Sequence, residues 1–574
     1  MEPADPFDVA ILGSGLASAA LAAVLARNGL SVLMLEAGSH PKFAIGESVV
    51  PEFGAMAETL AARFDVPELR WLSNFQRVRH RVSGNCGVKR NFTFLHHRDG
   101  AEPSARDWCQ FQTMTHPIGP DSHLYRPDVD AWLTALAVRY GVTYRERSPV
   151  RDPEADVELG EDHVTLRAGG QTYRARFLVD GSGYASVLAR KLGLRAEPEV
   201  RTDSRTLFTH MVGVRPITEA LDGAAIPVPS PPDQGTLHHL FEGGWFWVIP
   251  FDNHPLAVNP VCSVGLTLER RVHPDDERDA EEEFFAFADR FPAVRRQLEG
   301  ARAVRSWVKT RRLQYGATRL VGPRWCLLPH SAAFLDPLYS GGLVFALLGV
   351  GWIASALLDA LPRDDPQPPA LAAYAEHLTA NLGSLDRLIH GSYVAFRSAD
   401  LFNAWFRFWA VGNYHGSAAR IALNMRYLAD GDRAALQVLD RQPFRRSQAS
   451  DEPRVLALVE AGHAVLLEVE AGARTAEEAT QELFRLLGEQ DWIPPQFHVA
   501  RPEPRHLASF TVFPLLAIQS WGKRHAPADM RPVYYSVGPI FFWELTKSLL
   551  AEAWRGLCSF LRVARAAHFT RGRA

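Results

Sequence analysis

Hydrophobic patterning divides the chain into segments of different period. From Phe7 the sequence reads FDVAIL, then passes through GSG into LASAALAAVLARNG and on to LSVLMLE. The β-branched runs predict buried strands, and the Ala- and Leu-rich stretch predicts a helix stopped at Asn28-Gly29. Strand, glycine turn, helix and strand make a βαβ unit, hence a parallel sheet. A further helix and strand follow at 127–147. Residues 162–180 alternate as a hairpin that leads into a buried strand. Residues 205–214 and 244–268, rich in Trp, Phe, Val and Thr, have the composition of a second sheet. A charged helix covers about 273–300. The polar, Pro-rich RDDPQPP at 363–369 marks a boundary, and the remainder is mostly helical with a polar break near Phe444–Pro453. These segments predict an α/β fold: a Rossmann-like domain, an inserted mixed β-sheet domain and a helical C-terminal region.

Composition narrows the function. The 574 residues are 47% apolar and 22% charged with a net charge of -3, values of a folded protein without an electrostatic grip on nucleic acid. Five scattered cysteines form no CxxC pair, which argues against a disulfide framework or zinc site and for a cytoplasmic location. The acidic start MEPADPFD is unlike a secretory signal. Two long uncharged stretches, Val9–Ala26 and Pro337–Leu358, are broken by glycines and read as buried strand–turn–helix and loop–helix units. Pro539–Leu561 reads as an amphipathic helix with a basic end that docks on the protein, leaving peripheral membrane contact open. The runs His96-His97 and His238-His239 lack metal-ligand spacing and read as strand side chains, so no metal is expected.

The candidate chemistry begins at Gly13-Ser14-Gly15-Leu16-Ala17-Ser18. Gly13 permits the tight turn, Gly15 lets backbone N–H groups approach a pyrophosphate, and Ser18 is small enough for close helix–strand packing. Glu36 closes the next strand, about 20 residues on, where a carboxylate accepts from ribose hydroxyls. In chain order there follow Gly46-Glu47-Ser48-Val49-Val50-Pro51, Asp180-Gly181-Ser182-Gly183, and Asp336-Pro337-Leu338-Tyr339-Ser340-Gly341-Gly342. Between the last two stands Trp245-Phe246-Trp247-Val248-Ile249-Pro250, a strand with both indoles on one face. Together these motifs resemble the flavin-dependent halogenases, within the flavoprotein aromatic hydroxylase superfamily. The WxWxIP strand carries the resemblance, which runs over about residues 7–355 and is nearest the phenolic and tetracycline-type members.

The resemblance implies FAD, used as FADH2 from a separate flavin reductase, and chloride or bromide as co-substrate. It divides the chain into FAD-binding segments at 1–80, 111–200 and 306–362, substrate-domain segments at 81–110 and 201–305, and the helical region at 370–574. FAD contacts are expected from Gly13, Gly15, Ser18, Glu36, Glu47, Ser48, Arg126, Asp180, Gly181 and Asp336. Trp245, Trp247 and Pro250 would part flavin from substrate. Hypohalous acid would cross that wall to a lysine, best matched by Lys89 in GVKRNFTF; Lys42 reads as a surface charge. Halide would bind the backbone at Gly341 and Gly342. Two departures matter. Tyr339 replaces the glutamate of tryptophan-specific members, which points to a phenol or other electron-rich aromatic, free or tethered to a carrier protein. Pro329-His330 replaces a Gly-Asp pair whose carboxylate contacts the ribityl chain, leaving Asp336 as candidate substitute. A hydroxylating monooxygenase of the same fold and a flavin protein without activity remain the alternatives.

Overall fold

The computed structural model describes residues 6–113, 120–221, 225–275, 277–430, 447–507 and 512–536, with Trp543, Thr546, Leu550 and Trp554. The amphipathic segment expected at 539–561 therefore lies outside the described residues apart from those four positions. The chain opens with strand β1 (Phe7–Leu12), helix α1 (Leu16–Arg27) and strand β2 (Val32–Leu35). After β3 (Gly87–Lys89), which belongs to a small separate sheet, the chain enters a different large sheet through β4 (Asn91–His96) and β5 (Trp108–Gln112). The short β6 (Asp121–His123) pairs back on β3. Helix α2 (Arg126–Arg139) and β7 (Thr143–Arg145) return to the first sheet, which β8 (Gln171–Asp180) extends on its other side.

The second sheet gains β9 (Ser204–Val212), β10 (Thr236–Phe241), β11 (Gly244–Pro250) and β12 (Val261–Glu269). Strand β13 (Trp325–Leu327) then adds in parallel to β8. Helices α3 (Gly342–Ala360), α4 (Pro369–Ala395), α5 (Ala399–Asp430) and α6 (Pro453–Glu470) follow, and β14 (His506–Leu507) pairs with β5. In the first sheet β13, β8, β1, β2 and β7 lie side by side and parallel. The second runs β9, β12, β11, β10, β4, β5, β14 and is mixed, because β10 pairs in parallel with β4.

The residues explain the architecture. β1 and β2 are apolar runs buried on both faces, as a parallel sheet covered by helices requires. α3 has the length and apolarity of a membrane-crossing helix, yet 83% of that stretch is buried within the protein. The expected helix at 273–300 divides into Ala280–Ala288 and Pro292–Leu298. Pro292 causes the break, since it cannot donate within a continuous helix and pushes Phe291 into an extended conformation. β5 runs past the boundary expected at 110, and β14 brings the C-terminal region into the second sheet.

Trp247 stands opposite Gly265 in the β11–β12 register. A Cβ at Gly265 would lie 2.1 Å from the indole, so only glycine admits that ring. Gly265→Ala is expected to lower unfolding free energy by about 1–3 kcal/mol in a denaturant titration, as overpacking does. It should also move the tryptophan fluorescence, because the indole must leave its place.

Candidate functional site

Lys89 is the residue around which the interior is arranged. It ends β3 and is fully buried. Its Nζ donates to Ser48 Oγ at 2.6 Å and to Ser340 Oγ at 3.5 Å, and lies 3.4 Å from the centre of the Phe92 ring. The motif loops GES and DPLYSGG therefore meet at this amine. Burial pushes its pKa well below the usual lysine range, against the opposing pull of Asp121. Asp121 faces Lys89 in the antiparallel β3–β6 register, and burial raises its carboxyl to about 8 even with the lysine lowering it. Both shifts favour an uncharged amine and an uncharged acid.

An aromatic floor joins Lys89 to the tryptophan strand. The His238 ring stacks on Phe92 (5.7 Å) and Phe94 (4.7 Å) and lies 5.4 Å from Trp245. The Trp245 and Trp247 rings are 5.7 Å apart, both buried on one face of β11. Trp245 Nε1 donates to Tyr393 Oη (3.2 Å), which donates to Asp336 (3.0 Å); Trp247 Nε1 donates to Ser263 Oγ (3.3 Å). His238 is held neutral by burial, which lowers it to about 3. As expected from sequence it is a strand side chain, and it lies between Trp245 and Phe92, the ring on which the amine sits. Among the described residues no cluster of His, Cys, Asp or Glu is arranged to hold a metal.

The glycine loop lies at the end of the parallel sheet. Gly13 has φ +84°, and a Cβ there would come within 2.6 Å of the Gly181 carbonyl oxygen. A Cβ on Gly181 would meet Ser18 Oγ at 2.1 Å. These three positions therefore bring turn, helix and neighbouring strand into close approach. α1 begins behind Gly15 with no side chain capping its first N–H groups, which leaves them for an anion. Glu36 directly follows β2 and accepts from Ser14 N (2.9 Å), Ser14 Oγ (2.8 Å) and Gly38 N (2.9 Å), and it also pairs with Lys42. Lys42, expected as a surface charge, is thus a partner of the carboxylate. Burial opposes ionisation of Glu36, but Lys42, Gly38 and Ser14 outweigh it and hold the carboxyl at about 2.

The other residues expected at FAD divide into two groups. Glu47 Oε1 receives His210 Nε2 at 2.6 Å, and its Oε2 is buried without a protein partner. Arg126 clamps Asp130 through two 2.8 Å bonds and donates to the Ile45 and Gly46 carbonyls, fixing the GES loop to α2. Asp180 is consumed by its own loop, accepting from Ser182, Ser186 and Leu188. Asp336 turns away toward Leu338 N, Ser204 and Tyr393, and burial raises it to about 7. At the loop expected to bind halide, Gly341 is the N-cap of α3 with no side-chain cap, and Ser340 adopts φ +54°. Pro329 packs on α3, where a Gly349 Cβ would lie 2.5 Å from it.

Residues 101–410 match the tryptophan halogenase family, and residues 11–67 match an NAD(P)-binding Rossmann-like domain. The chain is 39% identical to tetracycline 7-halogenase of Kitasatospora aureofaciens over 92% of this chain and 94% of that one. The chain is a flavin-dependent halogenase. Monodechloroaminopyrrolnitrin halogenase PrnC of Pseudomonas fluorescens is 36% identical over 93% of this chain and 94% of its own. The solved structure of halogenase PltM in complex with phloroglucinol and FAD superimposes with a TM-score of 0.82 at 31% identity, covering 87% of this chain and 99% of that one. FAD is the cofactor of such enzymes. This halogenase fits it by its own geometry: the glycine cradle that a Cβ would fill, the uncapped N-terminus of α1 and the buried orphan oxygen of Glu47.

Glu36 provides a test of the cradle through stability. Its folded pKa lies below the ordinary 4.5, so its contribution is present above about pH 4.5 and is lost as pH falls toward about 2. Glu36→Gln should therefore lose about 1–2 kcal/mol at pH 7, after allowance for solvent around Lys42. The gap from the parent, followed by urea titration, should close as pH drops below 4.

Proposed function

We propose that this halogenase transfers chlorine or bromine to an electron-rich, phenolic ring through the side chain of Lys89. The observation that carries the reading is a wholly buried amine, depressed in pKa, seated where the GES and DPLYSGG loops meet and joined by an aromatic floor to two adjacent indoles. Reduced FAD, when bound, supplies with dioxygen and halide the oxidising equivalent that becomes hypohalous acid. A separate reductase is the source of reduced flavin, since the sequence has only one glycine loop of the nucleotide-binding type.

The chain's own residues then have defined tasks. Gly341 and Gly342 offer uncapped backbone N–H groups at the start of α3, a place for halide. Trp245 and Trp247 form a rigid barrier that admits a small oxidant and holds back an aromatic ring. Tyr393 and Ser263 fix both indoles by their N–H groups. The Lys89 amine, uncharged, attacks the halogen of hypohalous acid. The N–X bond forms as the O–X bond breaks, and the N–H proton leaves with the hydroxide as water. Electrophilic substitution returns the amine: the ring takes the halogen, and its displaced proton restores the N–H.

Tyr339 supports a phenol. It occupies the place of the carboxylate that would polarise an indole N–H, but its hydroxyl bonds Ser392 at 2.6 Å and its ring stacks on Trp409 at 4.6 Å. With no carboxylate there, the substrate must supply its own activation, as a phenol does on ionisation. Phloroglucinol, the compound in the PltM complex, is such a ring. The unpaired buried thiols Cys86, Cys109, Cys262 and Cys326 suit action in a reducing cytoplasm.

With FAD, a flavin reductase and its reduced nicotinamide, bromide and phloroglucinol, the enzyme should yield bromophloroglucinol, and Lys89→Ala should lower the yield on the order of 100-fold or more. Flavin binding and dioxygen consumption should persist in the variant. Equal bromination by Lys89→Ala would remove the lysine from its role. A hydroxylated product formed without halide would favour the monooxygenase reading.

A further inference from the structure

Ser48, Thr236 and His123 come from three separate segments, yet their side chains form one unbroken line ending at Lys89. The backbone prepares it. Ser48 and His123 make an antiparallel bridge, and Leu124 N donates to the Glu47 carbonyl at 2.6 Å. The side chains continue from there: Ser48 Oγ to Thr236 Oγ1 is 2.8 Å, and Thr236 Oγ1 to His123 Nε2 is 3.1 Å. His123 Nδ1 then lies 2.9 Å from the carbonyl oxygen of Pro250, the last residue of the WxWxIP strand. All of these side chains are buried, His123 and Lys89 completely.

Donor and acceptor chemistry fixes every hydrogen along the line. The Pro250 carbonyl only accepts, so His123 Nδ1 carries the proton. Burial keeps the ring neutral, lowering it to about 3, so Nε2 presents a lone pair. Thr236 must donate to Nε2, and it is therefore left to accept from Ser48. With its hydrogen spent on Thr236, the Ser48 oxygen turns its lone pairs toward Lys89 Nζ (2.6 Å) and Ser340 Oγ (3.2 Å). In a dry interior a reversed hydroxyl would leave a donor or acceptor unmade, so the polarity of the line is enforced. One N–H of the lysine is thereby committed, which sets the direction of the rest of the amine.

We propose that His123 is a positioning residue for halogen transfer: acting through Thr236 and Ser48, it holds the Lys89 amine in one orientation, so that oxidant reaching it passes to the substrate instead of escaping. The proposal rests on the reading of Lys89 given above. It also gives the WxWxIP proline a second part, since the same strand that carries the indoles supplies the carbonyl that selects the His123 tautomer.

The test uses the FAD-loaded enzyme with reductase, bromide and phloroglucinol, and methionine as trap for hypohalite that leaves the protein. His123→Phe removes the terminal acceptor, and Thr236→Val removes one hydroxyl without changing shape. Each should lower kcat by about 10- to 100-fold, the scale of a small misplacement of a reacting group. KM for the phenol and FAD affinity should stay within about twofold, while trapped hypohalite per dioxygen rises. The double variant should be no worse than either single one, as members of one unit behave. His123→Gln, which keeps an acceptor at the reach of Nε2, should restore most of the loss. Should His123→Phe fail to fold, Thr236→Val carries the same test. Unchanged coupling of dioxygen to product in Thr236→Val, or additive losses in the double variant, would overturn the proposal. A Lys89→Ala enzyme that still brominates would instead overturn the reading beneath it.

Discussion

The arrangement depends on an amine placed where water does not solvate it. An isolated ammonium in that position costs several kcal/mol, so the side chain either finds a compensating charge or gives up its proton. Here the neighbours are hydroxyls, a phenyl face and neutral imidazoles, and the one facing carboxyl is itself driven toward its protonated form. These surroundings favour a neutral amine over a buried cation. Chemistry with an electrophilic halogen needs that state, because an ammonium has no lone pair to offer.

Around the amine the second sheet supplies rigidity. β10 lies between β4 and β11, so Phe92, His238 and the two tryptophans form a continuous aromatic layer across neighbouring strands. Gly265 makes room for one indole, and a chain through Tyr393 to Asp336 fixes the other. The C-terminal helices are part of this construction. α4 brings Tyr393 to Trp245 and Ser392 to Tyr339, while α5 stacks Trp409 on Tyr339 and presses Phe402 and Phe406 against Phe94. The helical region thus closes the far side of the aromatic layer.

Much of this is legible in the sequence, for identifiable reasons. The βαβ unit, the tight turn at Gly13 and the acid at Glu36 follow from local periodicity and spacing, and the paired indoles follow from strand alternation. The family membership is carried by motifs whose order along the chain is fixed. Other features depend on contacts between distant segments and leave no local trace. Thr236 and His123 look like ordinary strand residues until the β3–β6 pair and the bridge at Ser48 bring them to Lys89. Asp336 sits in the expected motif yet turns toward Ser204 and Tyr393, a choice decided by α4 and β9. The run at 273–300 reads as one charged helix, and Pro292 divides it for reasons of backbone geometry.

The most direct measurement separates oxidation from transfer. The enzyme, given reduced FAD, dioxygen and bromide without a phenol, is rapidly desalted to strip flavin and halide, and phloroglucinol is then added. A halogen held on the Lys89 nitrogen predicts bromophloroglucinol in amounts approaching one equivalent per chain, absent when Lys89 is replaced by alanine. No product from the desalted protein, or the same product from the alanine variant, would contradict the account.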